Sequence, residues 1–284
     1  MNKNFSKNYR VRRIPSILIR QIMMISITIS SVFPLYFMFV NAFKSKEEYI
    51  SNKISIPQEW TFSNFINIVI GKDIIGGLFN SIILTLCSIF LVTLFSALAA
   101  YAFSKMKVPF KKVTMNIIIS LMAFPPAVMI VPMFVFFVRI GLVNNFASPI
   151  IIYSGLMMPF SIFLLYSFFN TIPKELIDAA KIDGCSNIRT FINIIIPISK
   201  PALITLIVVN SLWVWNELLI ALVFLQKDSL KSLMLIVTVF RSRYSIDIPM
   251  TMSALVVATI PMLILYFFGQ SFFQKGLITG ALKE

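Results

Sequence analysis

The sequence predicts an all-α, polytopic membrane protein with six transmembrane helices and a structured cytoplasmic loop between the fourth and fifth spans. Three observations predict it. Of 284 residues, 58% are hydrophobic and only 13% are charged, where a soluble domain is about a quarter charged. Six apolar segments each reach the roughly 20 residues a helix needs to cross the hydrocarbon core. The Lys and Arg residues gather in short clusters between those segments, as loops held on the cytoplasmic side do.

In chain order, residues 1–20 form a basic cytoplasmic N-terminus with Lys3, Lys7, Arg10, Arg12, Arg13 and Arg20. The run Gln21–Phe43 that follows exceeds a signal-peptide core of about 7–15 residues and has no small-residue cleavage site after it. It reads as an uncleaved first span, with Arg20 as an interface anchor. The other spans are Asn80–Phe103, Val113–Val138, Ala147–Phe169, Ala202–Leu225 and Met250–Phe268. The six-span transmembrane domain thus covers 21–273, including a cytoplasmic loop at 171–200, and 274–284 is a cytoplasmic tail. With both termini inside, sixteen of the 25 Lys and Arg residues face the cytoplasm and nine face out. That bias sets the orientation.

The net charge of +14 is spread over these loops rather than massed on one domain, which argues against nucleic acid as a partner. Cys87 falls in a span and Cys185 in a cytoplasmic loop, so no disulfide is expected between them. There is no His, which removes the commonest metal ligand. No metal and no cofactor are expected.

The third span carries Pro125, Pro126 and Pro132. Each removes a backbone donor and crowds the preceding turn, so a kinked helix is expected. Pro126 and Pro132 are candidates for a bent wall or gate of a pathway; a kink that only improves packing is the alternative. Glu217 is the one acid inside a predicted span, beside Trp213, Trp215 and Asn216. An acid at bilayer depth costs at least about 2.5–3.5 kcal/mol on insertion scales and faces a cavity or a partner. Trp215, Asn216 and Glu217 therefore either line a pathway through the bundle or anchor helices at the outer interface. The outer segment Lys44–Phe79, with Trp60 and Phe62, reads as loop plus a short interfacial helix.

The segment 171–197 reads as two short helices. Thr171 can cap the first, Pro173 suits its opening turn and Glu175 lies near its positive end. Gly184 ends it, Ser186 can cap the second, and Pro197 stops or bends that one. On the first helix Leu176 and Ala180 share a face, flanked by Ile177 and Ala179. Such a surface either receives another protein or folds onto its own bundle.

At these residues the sequence resembles the EAA motif of ABC importer permeases, which runs Glu-Ala-Ala, three residues, Gly, nine residues, Ile, one residue, Leu-Pro. Asp178, Ala179 and Ala180 take the first places, and Gly184, Ile194, Ile196 and Pro197 follow at the full spacing. Asp178 for Glu and Ile196 for Leu are the departures. The resemblance extends to the carbohydrate branch through Asn80-Ser-Ile-Ile, Ala99–Ser104, Pro132-Met-Phe, Gly141-Leu142, Trp215-Asn-Glu-Leu218 and the ending Gln274–Lys283. Glu284 departs from a terminal glycine.

This resemblance implies a permease subunit of an ATP-driven, binding-protein-dependent importer of a sugar or oligosaccharide in the cell membrane. It implies that Glu175, Asp178, Ala179, Ala180, Gly184, Ile194 and Pro197 couple the bundle to separate ATPase subunits. The implied partners are a second permease in a heterodimer, two ATPase subunits, an extracellular solute-binding protein and the lipid bilayer. The chain has no Gly-x-x-x-x-Gly-Lys-Ser/Thr loop, so ATP chemistry belongs to another polypeptide and no enzyme is expected. Three readings compete. An ion-gradient-driven secondary transporter would show more intramembrane acids or broken-helix repeats. An intramembrane enzyme would want paired carboxylates or an activated nucleophile. A permease of the same family could carry a non-sugar solute.

Overall fold

The computed structural model describes residues 4–71, 73–239 and 247–281, with side chains described for 18–71, 73–238 and 247–270. Lys3, Lys72, Arg241, Arg243, Lys283 and Glu284, which enter the charge pattern or the tail comparison, lie outside them. Every regular element among the described residues is helical. Four helical stretches are long and apolar enough to cross a membrane: Leu18–Ala42, Ile74–Lys105, Ala147–Thr171 and Ile248–Gln270. Two bent pairs, Lys111–Leu121 with Pro126–Arg139 and Asn187–Ile198 with Lys200–Asn216, raise the count to as many as six.

The chain divides into two compact units. The first comprises residues 1–71 and 240–257. It holds α1 (Asn4–Ala42), α2 (Lys46–Ser51), α3 (Ser63–Gly71) and the first turns of the final helix. α1 begins at Asn4 instead of Gln21, and its apolar stretch starts at Leu18. At its far end polar clips hold the turn beside an aromatic cluster around Phe43. The Asn64 amide donates to the carbonyls of Ala42 and Lys44 at 3.0 and 2.8 Å. The Ser253 hydroxyl donates to Ala42 at 2.8 Å. Lys44 is fully enclosed and donates to the Asn52 carbonyl at 2.8 Å. That desolvation pulls the Lys44 pKa below the ordinary lysine value, with nearby Glu48 opposing it.

The second unit comprises residues 72–239 and 258–284. It contains α4 (Ile74–Lys105), α5 (Lys111–Leu121), α6 (Pro126–Arg139), α7 (Ala147–Thr171), α8 (Lys174–Ile182), α9 (Asn187–Thr190), α10 (Ile196–Ile198), α11 (Lys200–Asn216), α12 (Leu219–Phe224), α13 (Leu233–Val239) and the rest of α14 (Ile248–Ala281). α4 and α7 are its spine. Ser81, Thr85, Ser88, Val92 and Ser96 recur on one buried stripe of α4, and small side chains of this kind let helix backbones approach closely. α11 packs against both, and the Asn210 amide donates to the Ser161 hydroxyl at 2.9 Å between α11 and α7. Gly77 shows how tight this is: a Cβ there would stand 3.3 Å from the Leu233 Cα and closer still to the Ile236 side chain.

Two expected spans differ from a simple helix. The third is not one kinked helix. It breaks between Leu121 and Pro126, with 95° between α5 and α6. Proline at the start of α6 cannot donate into the end of α5, so the chain restarts there. Pro132 stays inside α6. The fifth, expected over Ala202–Leu225, is helical only to Asn216 and resumes as α12. Glu217 has extended dihedrals (φ −71°, ψ 126°) and ends α11.

Candidate functional site

The α8–α9 hairpin is closed by local chemistry. Gly184 takes φ +78°, the left-handed conformation that only glycine adopts without strain. The Cys185 N–H then reaches the Ala180 carbonyl at 2.9 Å and the Gly184 N–H reaches Lys181 at 3.0 Å, the paired bonds that satisfy the last carbonyls of a helix. The Ser186 hydroxyl accepts from the Arg189 N–H at 3.3 Å and caps α9. Asp183 and Gly184 are exposed at the tip. Thr171 does not cap α8, as the sequence suggested. It is the last residue of α7, and its hydroxyl donates to the Phe168 carbonyl at 2.7 Å. Pro173 occupies the capping position without a side-chain bond, since a hydroxyl two residues earlier is committed to its own helix.

The hairpin is anchored at its base. Ile177 is buried in a cluster with Ala97, Tyr101, Leu165, Phe169, Phe191 and Ile195. The Tyr101 and Phe191 rings lie 5.1 Å apart. The Lys105 ammonium donates to the Ile172 carbonyl at 2.7 Å, tying the end of α4 to the α7–α8 junction. Ile177 and Ala180 are therefore the inward pair, and Leu176 is exposed, contrary to the face expected from spacing. Glu175, Asp178 and Ala179 remain on the open side. Beyond Thr190 the helix widens by one residue per turn over Phe191–Ile195. Pro197 has no N–H to give the carbonyl four residues back, and a wide turn absorbs that defect. Ile194 is half-buried and Pro197 exposed there. The chain then bends by 77° at Ser199 into α11.

A second junction lies at the far end of α11. The Glu217 carboxylate accepts from the Ile220 and Ala221 N–H groups at 2.8 and 3.2 Å, capping α12. It also accepts from the Tyr153 hydroxyl of α7 at 2.8 Å. Three donors converge on an acid that would otherwise be costly at bilayer depth. Trp215 is buried and its indole N–H donates to the Ala258 carbonyl at 3.0 Å. Asn216 is exposed, its amide donating to Leu212 at 2.7 Å.

A cavity of about 890 Å³ opens among α5, α6, α7 and α11. Its wall includes Met122, Phe124, Pro126, Met133 and Phe160, with Asn210 as a polar group. Trp213, not Trp215, is the tryptophan that faces it, and its ring meets Tyr153 edge-on at 5.9 Å. Pro126 lines the cavity and Pro132 does not. Trp213 stands beside Glu217 in the sequence, whereas nothing there points to Tyr153. The Tyr153–Glu217 pair is separated by 64 positions, and no local pattern signals it.

This arrangement of helices is that of an ABC importer's transmembrane subunit. The backbone matches a chain in the crystal structure of a bacterial ABC transporter involved in the import of the acidic polysaccharide alginate, with a TM-score of 0.82. The match covers 93% of this chain and 98% of that one at 22% identity. The chain is 39% identical over 251 residues to a putative ABC transporter permease protein, ORF2, of Caldicellulosiruptor sp., covering 88% of this chain and 91% of that protein. It is 31% identical, with the same coverage, to the melibiose/raffinose/stachyose import permease protein MelC of Bacillus subtilis. Residues 92–278 match the binding-protein-dependent transport system inner membrane component family, and the chain belongs to that family. It is a multi-pass membrane permease of an importer rather than an enzyme. Permeases of this kind work in general with a second permease, ATPase subunits and a solute-binding protein.

Proposed function

We propose that this chain is one half of a heterodimeric sugar or oligosaccharide importer, crossing the membrane six times with both termini in the cytoplasm. Its relatives support the sugar class: one is a melibiose, raffinose and stachyose permease, another is a probable transporter of starch degradation products, and a third takes up diacetylchitobiose. The excess of Lys and Arg in the expected inner loops supports the orientation. In this reading α8 and α9 lie in the cytoplasm between the fourth and fifth spans, and one of the importer's two separate ATPase subunits binds their open side.

The carrying observation is the build of that hairpin. Gly184 closes the end of α8, Ser186 caps the start of α9, and the pair is wedged into the bundle through Ile177, Phe191 and Ile195, while Glu175, Asp178 and Ala179 stay accessible. A stiff, inwardly anchored unit can pass a displacement of its open face to α7 and α11. A nucleotide shifts the bundle only by its differential affinity for two ATPase arrangements, so a soft connection would waste that difference. Ile194 and Pro197 carry the motion across the bend into α11. At the other end of α11, Asn216, Glu217 and the Pro126 wall of the cavity form the pathway side, with Trp215 as the buried anchor behind them.

The test is disulfide or bifunctional crosslinking from a cysteine at Ala179, which is open, in the assembled transporter. The expected result is a link to an ATPase subunit whose yield changes with ATP. No link, or a link indifferent to nucleotide, overturns the coupling role. Uptake of labelled oligosaccharides driven by ATP and indifferent to ionophores tests the energy source and the solute class.

A further inference from the structure

The stretch Trp60–Ile70 has no charged residue, and it is held firmly in the first unit. Asn64 and Ile68, one turn apart on α3, are both buried, with Asn64 tied to the end of α1 by its two amide bonds. The opposite side is apolar as well. Phe62, Ile66, Val69 and Ile70 recur at helical spacing and are 61%, 55%, 43% and 81% exposed. A helix docked through one face and apolar on the other has a second surface to cover.

The position of that surface says what covers it. The exposed apolar side chains of α1 run from Leu18 to Phe39. From Phe39 the surface continues without a gap, ring to ring: Phe39 to Phe43 at 5.1 Å, Phe43 to Trp60 at 5.2 Å, and Phe43 to Phe62 at 5.4 Å. The apolar part of α1 spans 25 residues, about 37 Å at 1.5 Å per residue, against roughly 30 Å of hydrocarbon. The aromatic cluster therefore sits where the helix emerges among headgroups, the depth at which Trp and other amphipathic rings concentrate. Of the nearby charges, Lys44, Lys46, Glu47, Glu48, Lys53 and Glu59 precede Trp60 and Lys72 and Asp73 follow Gly71, so α3 itself carries none.

We propose that Trp60–Ile70 is a lipid anchor. The aromatic cluster and the outer stripe of α3 lie in the acyl–headgroup boundary of the leaflet at the C-terminal end of α1, with phospholipid as the partner. α3 lies flat there as an interfacial helix, bracing the end of α1 against tilt.

Spin labels at Ile66, Ile70 and Asn67, one at a time in a Cys87→Ala, Cys185→Ser background, test this in the full chain reconstituted with its partner subunits in phospholipid vesicles. Labels at 66 and 70 should collide mainly with oxygen and the label at 67 mainly with a water-soluble nickel chelate. Chelate access at 66 and 70 overturns the proposal, and so does shielding from both reagents, which would mean a protein cover such as a docked solute-binding protein. A second measurement leaves the cysteines in place. Brominated acyl chains should quench a fluorescence component that disappears in Trp60→Phe. If that component is quenched by aqueous iodide instead, the anchor is refuted.

Discussion

The two ends of α11 are both broken, but by different means. At the hairpin end the break is written into consecutive residues: glycine at the left-handed position, serine as the cap, proline where the ladder must loosen. At the other end Glu217 stops one helix and caps the next, and its carboxylate is completed by Tyr153 from a different helix. The first junction is rigid by itself. The second is rigid only when α7 is in register with α11. On the coupling role proposed above, the difference implies distinct duties: the hairpin would keep its shape while it moves, and the Glu217 junction would follow the register of α7 against α11.

The largest expected effect breaks the second junction. Glu217→Ala leaves two backbone donors and the Tyr153 hydroxyl unpaired, a loss of about 1.5–3 kcal/mol. It should lower the midpoint of thermal unfolding in detergent more than any hairpin variant. A double-mutant cycle with Tyr153→Phe should give a coupling of about 0.5–3 kcal/mol, and additivity would show that the two groups act separately.

Next is Gly184→Val. A branched side chain at φ +78° strains the turn by roughly 1–2 kcal/mol. The chain should still insert and assemble, while the ratio of solute imported to ATP hydrolysed falls. Unchanged coupling would deny the hairpin its stiffness. Gly184→Asn, which tolerates this region better, should recover much of the ratio.

The smallest effect is Ser186→Ala, which removes the α9 cap at a cost of about 1 kcal/mol. A modest fall in coupling without loss of expression is expected. If coupling drops as far as in Gly184→Val, the cap carries as much of the force as the turn does.

Much of the hairpin was legible because its determinants lie within a few residues of one another. Gly184, Ser186 and Pro197 each act on the backbone beside them, so their spacing announces their roles. The inward face was not. Spacing grouped Leu176 with Ala180, whereas the bundle takes Ile177 with Ala180 and leaves Leu176 open. Helical period says which residues share a side, but only the neighbouring helices say which side is inside. The same holds for the tryptophans. Adjacent to Glu217, Trp213 and Trp215 look alike in sequence, yet one faces the cavity and the other donates to Ala258.

The sequence by itself determined that the protein lives in a membrane, that its regular structure is helical, and where its main apolar stretches lie, because hydrocarbon demands long uncharged runs whatever the neighbours are. It also determined the hairpin's turn, because a left-handed residue and a cap are local requirements. Only the tertiary structure decided the 95° break before Pro126, the interruption of the fifth helix at Glu217, and the two-faced packing of α3. Each depends on a partner group far away in the chain, or on a bend whose size hydropathy cannot express.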